Sequence, residues 1–348
     1  NNNFTIEESM NVIETIAGNG NQGYSGDGGN AIDAEMDNPF HVDISGEFLY
    51  FADCFNYRVR RVDLSLGTVE NFAGTGKKGH SGDGSEALNA NIDEIYAIQV
   101  DTDGSVYICQ RFNPTIRKID TKTGTITTVA GTGQSGSGKD GIPATESAMI
   151  EPNDCVLDGK GGLLIADVQD QKIRRLDLET GLIHAFAGTG EMVHSGDGGP
   201  ASEAGIFGAR AVCVDRNGNT YVCERGGNTI RRIDSNGIIT TIAGTGEKGY
   251  TGDGEAAIDA TFNGPKAIRC DNDGNILVVD TENHCIRVIS ITEGTIDTIG
   301  GGVEGPDGDG ESALKAGMAR PHGVVAGPGN QIYIADIENH RIRVINGN

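Results

Sequence analysis

Six positions in this chain change chemistry inside a frame that otherwise repeats: Phe40, Tyr96, Asn153, Arg210, Lys266 and His322. They follow Pro39, Ile95, Pro152, Ala209, Pro265 and Pro321, and each opens a short apolar run. Two further cations, Arg111 and Arg225, follow Gln110 and Glu224, which stand where other copies have Asp53, Asp167, Asp280 and Asp336. Arginine grips a carboxylate or phosphate through two parallel hydrogen bonds, and lysine adds a compact charge. Histidine has the ordinary pKa suited to a general base near neutrality. Tyrosine donates a proton, or gives one up where a cation lowers its pKa. The set therefore points to a small anionic ligand and to proton transfer. His322, Tyr96, Arg210 and Lys266 are the catalytic candidates. Arg111, Arg225, Asn153, Phe40, His41, Glu224 and Gln110 are the substrate-binding candidates. His41 neighbours His322 only if the chain closes on itself. With Asp53 or Asp336 the two histidines are then an alternative divalent-metal set without motif spacing; otherwise no cofactor is implied. Cys54 borders the same region without an assigned base and reads as a structural thiol.

A second feature, "GYSGDGG" at 23–29, resembles a phosphate or calcium loop at first sight. Its aspartate recurs as Asp27, Asp83, Asp140, Asp197, Asp253 and Asp309. A residue present in every copy answers to architecture before it answers to a ligand. One carboxylate per loop also falls short of the roughly 6–8 oxygens that calcium takes. A GK[ST] phosphate loop is absent. The expectation is an N-cap or Asx-turn anchor for the helical turn that follows, with glycines allowing positive φ. Arg60, Arg117, Arg174, Arg231, Arg287 and Arg343 also recur, and an ion pair with a repeated acid is expected.

These positions need a repeating scaffold, and the chain supplies one. The first glycine of an "AGxG" step falls at Gly18, Gly74, Gly131, Gly188 and Gly244, with a degenerate copy at Gly300. Each 56–57-residue unit reads as four strands joined by Asp/Asn-Gly turns, for example "PKAIRCD", "ILVVD", "CIRVIS" and "TIDTIG". Four strands repeated six times predict an all-β, six-bladed β-propeller. The predicted blades cover 39–73, 94–130, 151–187, 208–243, 264–299 and 320–346, the last completed by an N-terminal strand at 10–17. Closure removes the open edge and ties down a terminus. One ring then accounts for 348 residues as a single domain.

Composition excludes several classes. The chain has 27 basic and 50 acidic residues and a net charge of −23, which argues against nucleic acid and anionic membrane surfaces. No apolar run approaches the roughly 20 residues of a membrane span. Seven cysteines without a CxxC pattern point to free thiols rather than a disulfide framework. Cys213 and Cys223 are close enough in one hairpin to pair, but a bridge is not expected. The chain begins with Asn1 and shows no signal peptide, so the compartment stays open.

"DTENHCIRVI" (280–289) and "DIENHRIRVI" (336–345) resemble the NHL repeat. "DCFNYRVRRVD", "QRFNPTIRKID", "DVQDQKIRRLD" and "ERGGNTIRRID" are looser copies. The resemblance covers the whole chain and implies a propeller whose ligands sit at one mouth of the central channel. That mouth is lined by the loops entering each innermost strand and those after each second strand. His284 and His340, the signature histidines, are read as strand-end hydrogen-bonding residues. NHL-type propellers include enzymes, some of them lyases using Tyr, Arg and His or a metal, as well as protein- and RNA-binding modules. The leading expectation is a monomeric lyase, isomerase or hydrolase for a small anion. The alternative is a non-catalytic platform for protein or glycan, presenting Phe40, Phe55, Tyr96 and Phe112.

Overall fold

Alternating apolar runs of four to seven residues, punctuated by glycine turns, fold as six antiparallel blade sheets in a computed structural model that describes residues 11–347. Blade one contains Pro39–Ser45, Phe48–Asp53, Arg58–Asp63 and Thr68–Ala73, from the channel outward. The innermost strands of the other blades are Ile95–Val100, Pro152–Leu157, Ala209–Val214, Ala267–Cys270 and Gly323–Ala326. Three blades gain a two-residue fifth strand at the outer edge (Ser85–Glu86, Ile142–Pro143, Glu255–Ala256), which the four-strand reading did not include.

The ring closes as expected. Val12–Ala17 pairs antiparallel with Arg341–Asn346, with Val12 opposite Asn346 and Ala17 opposite Ile342. Position 10 of the expected closing segment lies outside the described residues. Ile13 is fully buried in the core shared with blade five, against residues that include Leu277 and Ile286. The apolar faces of adjacent blades form the remaining cores, one of which joins Val42 and Phe51 to Ala335 and Ile342.

The repeated glycine has a steric cause. Gly74 has φ +95°, and a Cβ there would lie 2.4 Å from the Tyr57 carbonyl oxygen. Only glycine fits both the left-handed backbone and the close crossing.

The repeated aspartate is not an N-cap. The short 3₁₀ turns begin four residues later, as at Ala31–Asp33, and carry no side-chain cap. Asp27 instead accepts from the Arg60 guanidinium, 3.0 Å from Nε. Arg60 is completely buried and also donates to the Ser25 and Glu35 carbonyls at 2.7 Å and to Asp53 at 3.4 Å. Equivalent pairs join Arg117–Asp83, Arg174–Asp140, Arg231–Asp197, Arg287–Asp253 and Arg343–Asp309. An arginine with its fork filled in this way tolerates burial, because each N–H lost to water is replaced. "GYSGDGG" is thus one half of a buried ionic joint, with its Asp clamped to the third strand of its blade.

All seven cysteines are free thiols, and six are buried. Cys213 lies nearest not to Cys223 but to Cys270 of the next blade, at 3.6 Å between sulfurs.

Candidate functional site

The non-repeating residues reach the channel mouth because the innermost strands begin with β-bulges. In blade three Pro152 pairs with Asp167 and Asp154 with Ala166, leaving Asn153 as the extra residue. Arg210 is the extra residue between Ala209 and Ala211, and Tyr96 between Ile95 and Ala97. In blade one Phe40 and His41 together face Ala52 between the Pro39–Asp53 and Val42–Phe51 pairs, again one extra residue. A bulge frees a side chain from the regular alternation and re-aims it. Lys266 and His322 lie just before their strands start. All six ring residues line one cavity of about 310 Å³, at the small end of the range for small-molecule sites. Arg111 and Arg225 line it too.

Three expected residues do not. His41 is buried deeper in the channel, with Nδ1 3.3 Å from the Ile98 amide and Nε2 2.9 Å from the Arg269 guanidinium. Arg269 in turn holds Asp154 through two 2.8 Å hydrogen bonds. Burial and Arg269 bring the His41 pKa down to about 3. His41 is the residue after the ring position, and adjacent residues at a bulge point in different directions. Gln110 and Glu224 are also fully buried. They sit in the blade joints: Glu224 accepts from Arg231, Thr229 and the Phe207 amide and meets His194, and Gln110 approaches His80. Blades one and five have Tyr24 and Tyr250 in the loop where these two blades have His80 and His194. The departures from aspartate are therefore matched exchanges within a joint.

The other second-strand acids follow the same logic. Asp53, Asp280 and Asp336 accept from the amides of Asp37, Asn263 and Ala319 at 2.7–2.8 Å. They tether the loops that enter the innermost strands and leave the mouth cations alone. Burial outweighs these hydrogen bonds and raises each of the three carboxyls to about 6.

The mouth carries its own acids, unnoticed in the sequence. Arg111 pairs with Glu151 at 2.7 Å and donates to the Tyr96 hydroxyl at 2.5 Å. Lys266 pairs with Glu282 at 2.8 Å, and Arg320 bridges Glu282 and Glu338 at 2.9 Å each. Glu151 and Arg320 lie two residues before ring positions, and Glu282 and Glu338 two residues after second-strand acids. Those four positions also vary from blade to blade, so comparing copies at these offsets identifies them.

Arg210 and Arg225 differ from the other cations. Among the described residues neither has a carboxylate within 4.0 Å. Arg210 is only 5% exposed; it donates to the Asn153 carbonyl at 3.4 Å, and its guanidinium lies 5.6 Å from the Tyr96 ring centroid. Burial lowers its pKa. Lys266 is likewise 5% exposed, and burial brings it down to about 8 despite Glu282. Against the upward pull of burial, Arg320 and Lys266 hold Glu282 near 2.

His322 is neutral. Burial lowers its pKa well below the usual value, and Lys266 and Arg210 add to the effect. Its Nδ1 lies 2.9 Å from the Arg320 carbonyl oxygen. A carbonyl can only accept, so Nδ1 carries the proton and Nε2 keeps a lone pair. Burial also raises the Tyr96 pKa, with Arg111 opposing, so Tyr96 is a protonated phenol. His284 and His340 stay at strand ends, where their Nδ1 atoms accept from the amides of Arg320 and Asn38.

Comparison with known proteins agrees with the fold. The NHL repeat model matches residues 262–289 and 318–345, and the teneurin NHL domain model matches 188–251. NHL repeat-containing protein 2 of Bos taurus is 25% identical over 295 residues, covering 76% of this chain and 40% of that protein. The chain spans less than half the length of the curated relatives it matches, from 10% to 45% among the first four. A protein of unknown function from Bacteroides thetaiotaomicron superposes with a TM-score of 0.69 at 19% identity, over 96% of this chain and 75% of that one. Virginiamycin B lyase from Staphylococcus aureus, solved as a catalytically inactive histidine-to-alanine variant with quinupristin, gives a TM-score of 0.53 at 14% identity, over 90% and 96%. These structural likenesses carry the fold alone. Repeat signature, six closed blades and relatives agree on the fold: the chain is a six-bladed β-propeller with NHL repeats at 262–289 and 318–345.

Proposed function

We propose that the mouth cavity binds a small anion and performs proton-transfer chemistry on it, of lyase, isomerase or hydrolase type. The observation that carries this reading is Arg210, a buried cation without a carboxylate partner in a protein of net charge −23. An uncompensated buried charge costs several kcal/mol, and a ligand carboxylate or phosphate beside Arg210, Arg225 and Lys266 would offset that cost. A cationic cleft in an acidic protein also concentrates anions locally.

In this reading Lys266 and Arg210 hold the anion and stabilise negative charge that develops during reaction. His322 accepts a proton at Nε2, because its tautomer is fixed by Arg320. Its basicity, lowered by burial and by Lys266 and Arg210, rises as a bound anion offsets the field of these two cations. Tyr96 donates a proton from its phenol. Asn153 and Phe40 shape the cavity. The reading requires no metal or cofactor, and treatment with a chelator is expected to leave anion affinity unchanged. Histidine-dependent lyase chemistry on the same fold in the Staphylococcus aureus enzyme supports it. The protein would act as a monomer and engage neither nucleic acid nor membrane; no described helix is long and apolar enough to cross a bilayer.

Titration calorimetry with inorganic phosphate and succinate tests the reading. Binding in the wild type, lost by at least about tenfold in Arg210→Ala and in Lys266→Ala, is expected. No binding at millimolar anion, or equal binding by both variants, would overturn it. The second reading, a protein- or glycan-binding platform, is favoured by Phe112, 56% exposed beside Arg111. A stoichiometric partner released by Phe112→Ala with anion affinity unchanged would support that role.

A further inference from the structure

The cavity is not uniform around its rim. In a closed ring of six, blade one stands opposite blade four. Blade one contributes Phe40 and Phe55, and blade six adds Ile337 beside them; all three line the cavity. Blade four contributes Arg210 and Arg225, and blade five adds Lys266. An apolar pole therefore faces a cationic pole across a cavity of about 310 Å³.

The aromatic side is a continuous cluster of tilted rings. The Phe40 ring centroid is 4.5 Å from that of Tyr96, 4.8 Å from that of His322 and 6.0 Å from that of Phe55. Phe40, Tyr96 and Ile337 are each at most 9% exposed, whereas Phe55 is 37% exposed. Phe55 thus presents the accessible apolar surface of this wall. Phe40 packs against it, and Tyr96 carries the wall on to Arg210, whose guanidinium lies 5.6 Å from the Tyr96 centroid. Inorganic phosphate would satisfy the cations and leave the Phe55 wall wet. A neutral arene would cover Phe55 and leave Arg210 unpaired.

Resting on the anion-site reading above, we infer that the ligand is a small carboxylate bearing a flat apolar group, with the carboxylate at Arg210, Arg225 and Lys266 and the apolar group against Phe55. Aromatic side chains favour offset or edge-on contact with another ring, and the two ends of such a molecule match the two poles. Its reacting atoms would lie between the poles, where His322 stands next to Phe40.

The test is a calorimetric comparison of benzoate, acetate and inorganic phosphate on the whole chain, with melting curves to establish that each variant is folded. Benzoate is expected to bind about tenfold more tightly than acetate, the effect of removing part of one ring from water. Phe55→Ala should reduce that preference to about twofold and leave phosphate affinity unchanged, while Phe55→Leu keeps most of it. Equal binding of benzoate and acetate, or a benzoate preference that survives Phe55→Ala, overturns this inference and leaves the anion site standing. Failure of all three anions to bind overturns both.

Discussion

The affinity of the mouth for an anion should fall as pH rises through about 8, and one side chain should account for the fall. Burial brings the Lys266 ammonium down to about 8, so at pH 7 it is mostly charged and at pH 9 mostly neutral. Three neighbours stay out of this window. Glu282 is held near 2, His322 well below its usual value, and Tyr96 is raised. If only the charged form binds, the apparent dissociation constant grows by one plus ten to the power of pH minus 8. Affinity then drops about tenfold between pH 7 and pH 9, or about 1.4 kcal/mol. The sign follows from linkage: a bound anion stabilises the protonated lysine, so binding takes up protons as pH passes 8. Calorimetry in two buffers of different ionisation enthalpy measures both the affinity and the proton uptake. Lys266→Arg, which stays charged throughout, should abolish the slope while retaining binding at pH 7. A flat wild-type profile between pH 7 and pH 9, or a slope that persists in Lys266→Arg, would refute the argument.

Two predictions concern the scaffold. Arg343→Met leaves Asp309 and the fully buried Asp336 without their cation and should cost about 3–5 kcal/mol in denaturant unfolding. Asp336 already has a raised folded pKa of about 6. Its neutral form is the one that folding favours, so its stabilising contribution is present at low pH and lost as pH rises through that value. The penalty of Arg343→Met should therefore be smaller at pH 5 than at pH 8. Gly74→Ala combines φ +95° with a Cβ 2.4 Å from a carbonyl oxygen and should cost more than about 2 kcal/mol. Gly84→Ala, at φ +80° with nothing within 4 Å, should cost about 1 kcal/mol.

Much of this molecule was readable before any coordinates because six copies of one unit act as controls for one another. Period and turn chemistry specify the blades, and the unmatched strand at the N-terminus specifies how the ring closes. Comparing the copies also separated "SGDGG" from the ring at Phe40, Tyr96, Asn153, Arg210, Lys266 and His322. What repeats became the Arg–Asp joint, and what varies lines one cavity. The comparison failed where variation served packing. Gln110 and Glu224 vary because His80 and His194 vary with them inside the blade joints. It also failed at His41, since the bulge that opens blade one turns neighbouring side chains in different directions. Glu151, Glu282, Arg320 and Glu338 lie two residues away from the ring and from the second-strand acids, offsets at which the copies also vary, and their pairing is set by how loops within and between blades meet, which spacing along the chain does not encode.

The most direct test is a crystal structure with a small carboxylate present. The account predicts an ordered carboxylate within hydrogen-bonding distance of Arg210 and Lys266, and its loss in Arg210→Ala. An ordered carboxylate elsewhere on the propeller, with Arg210 and Lys266 untouched at saturating ligand, would contradict it.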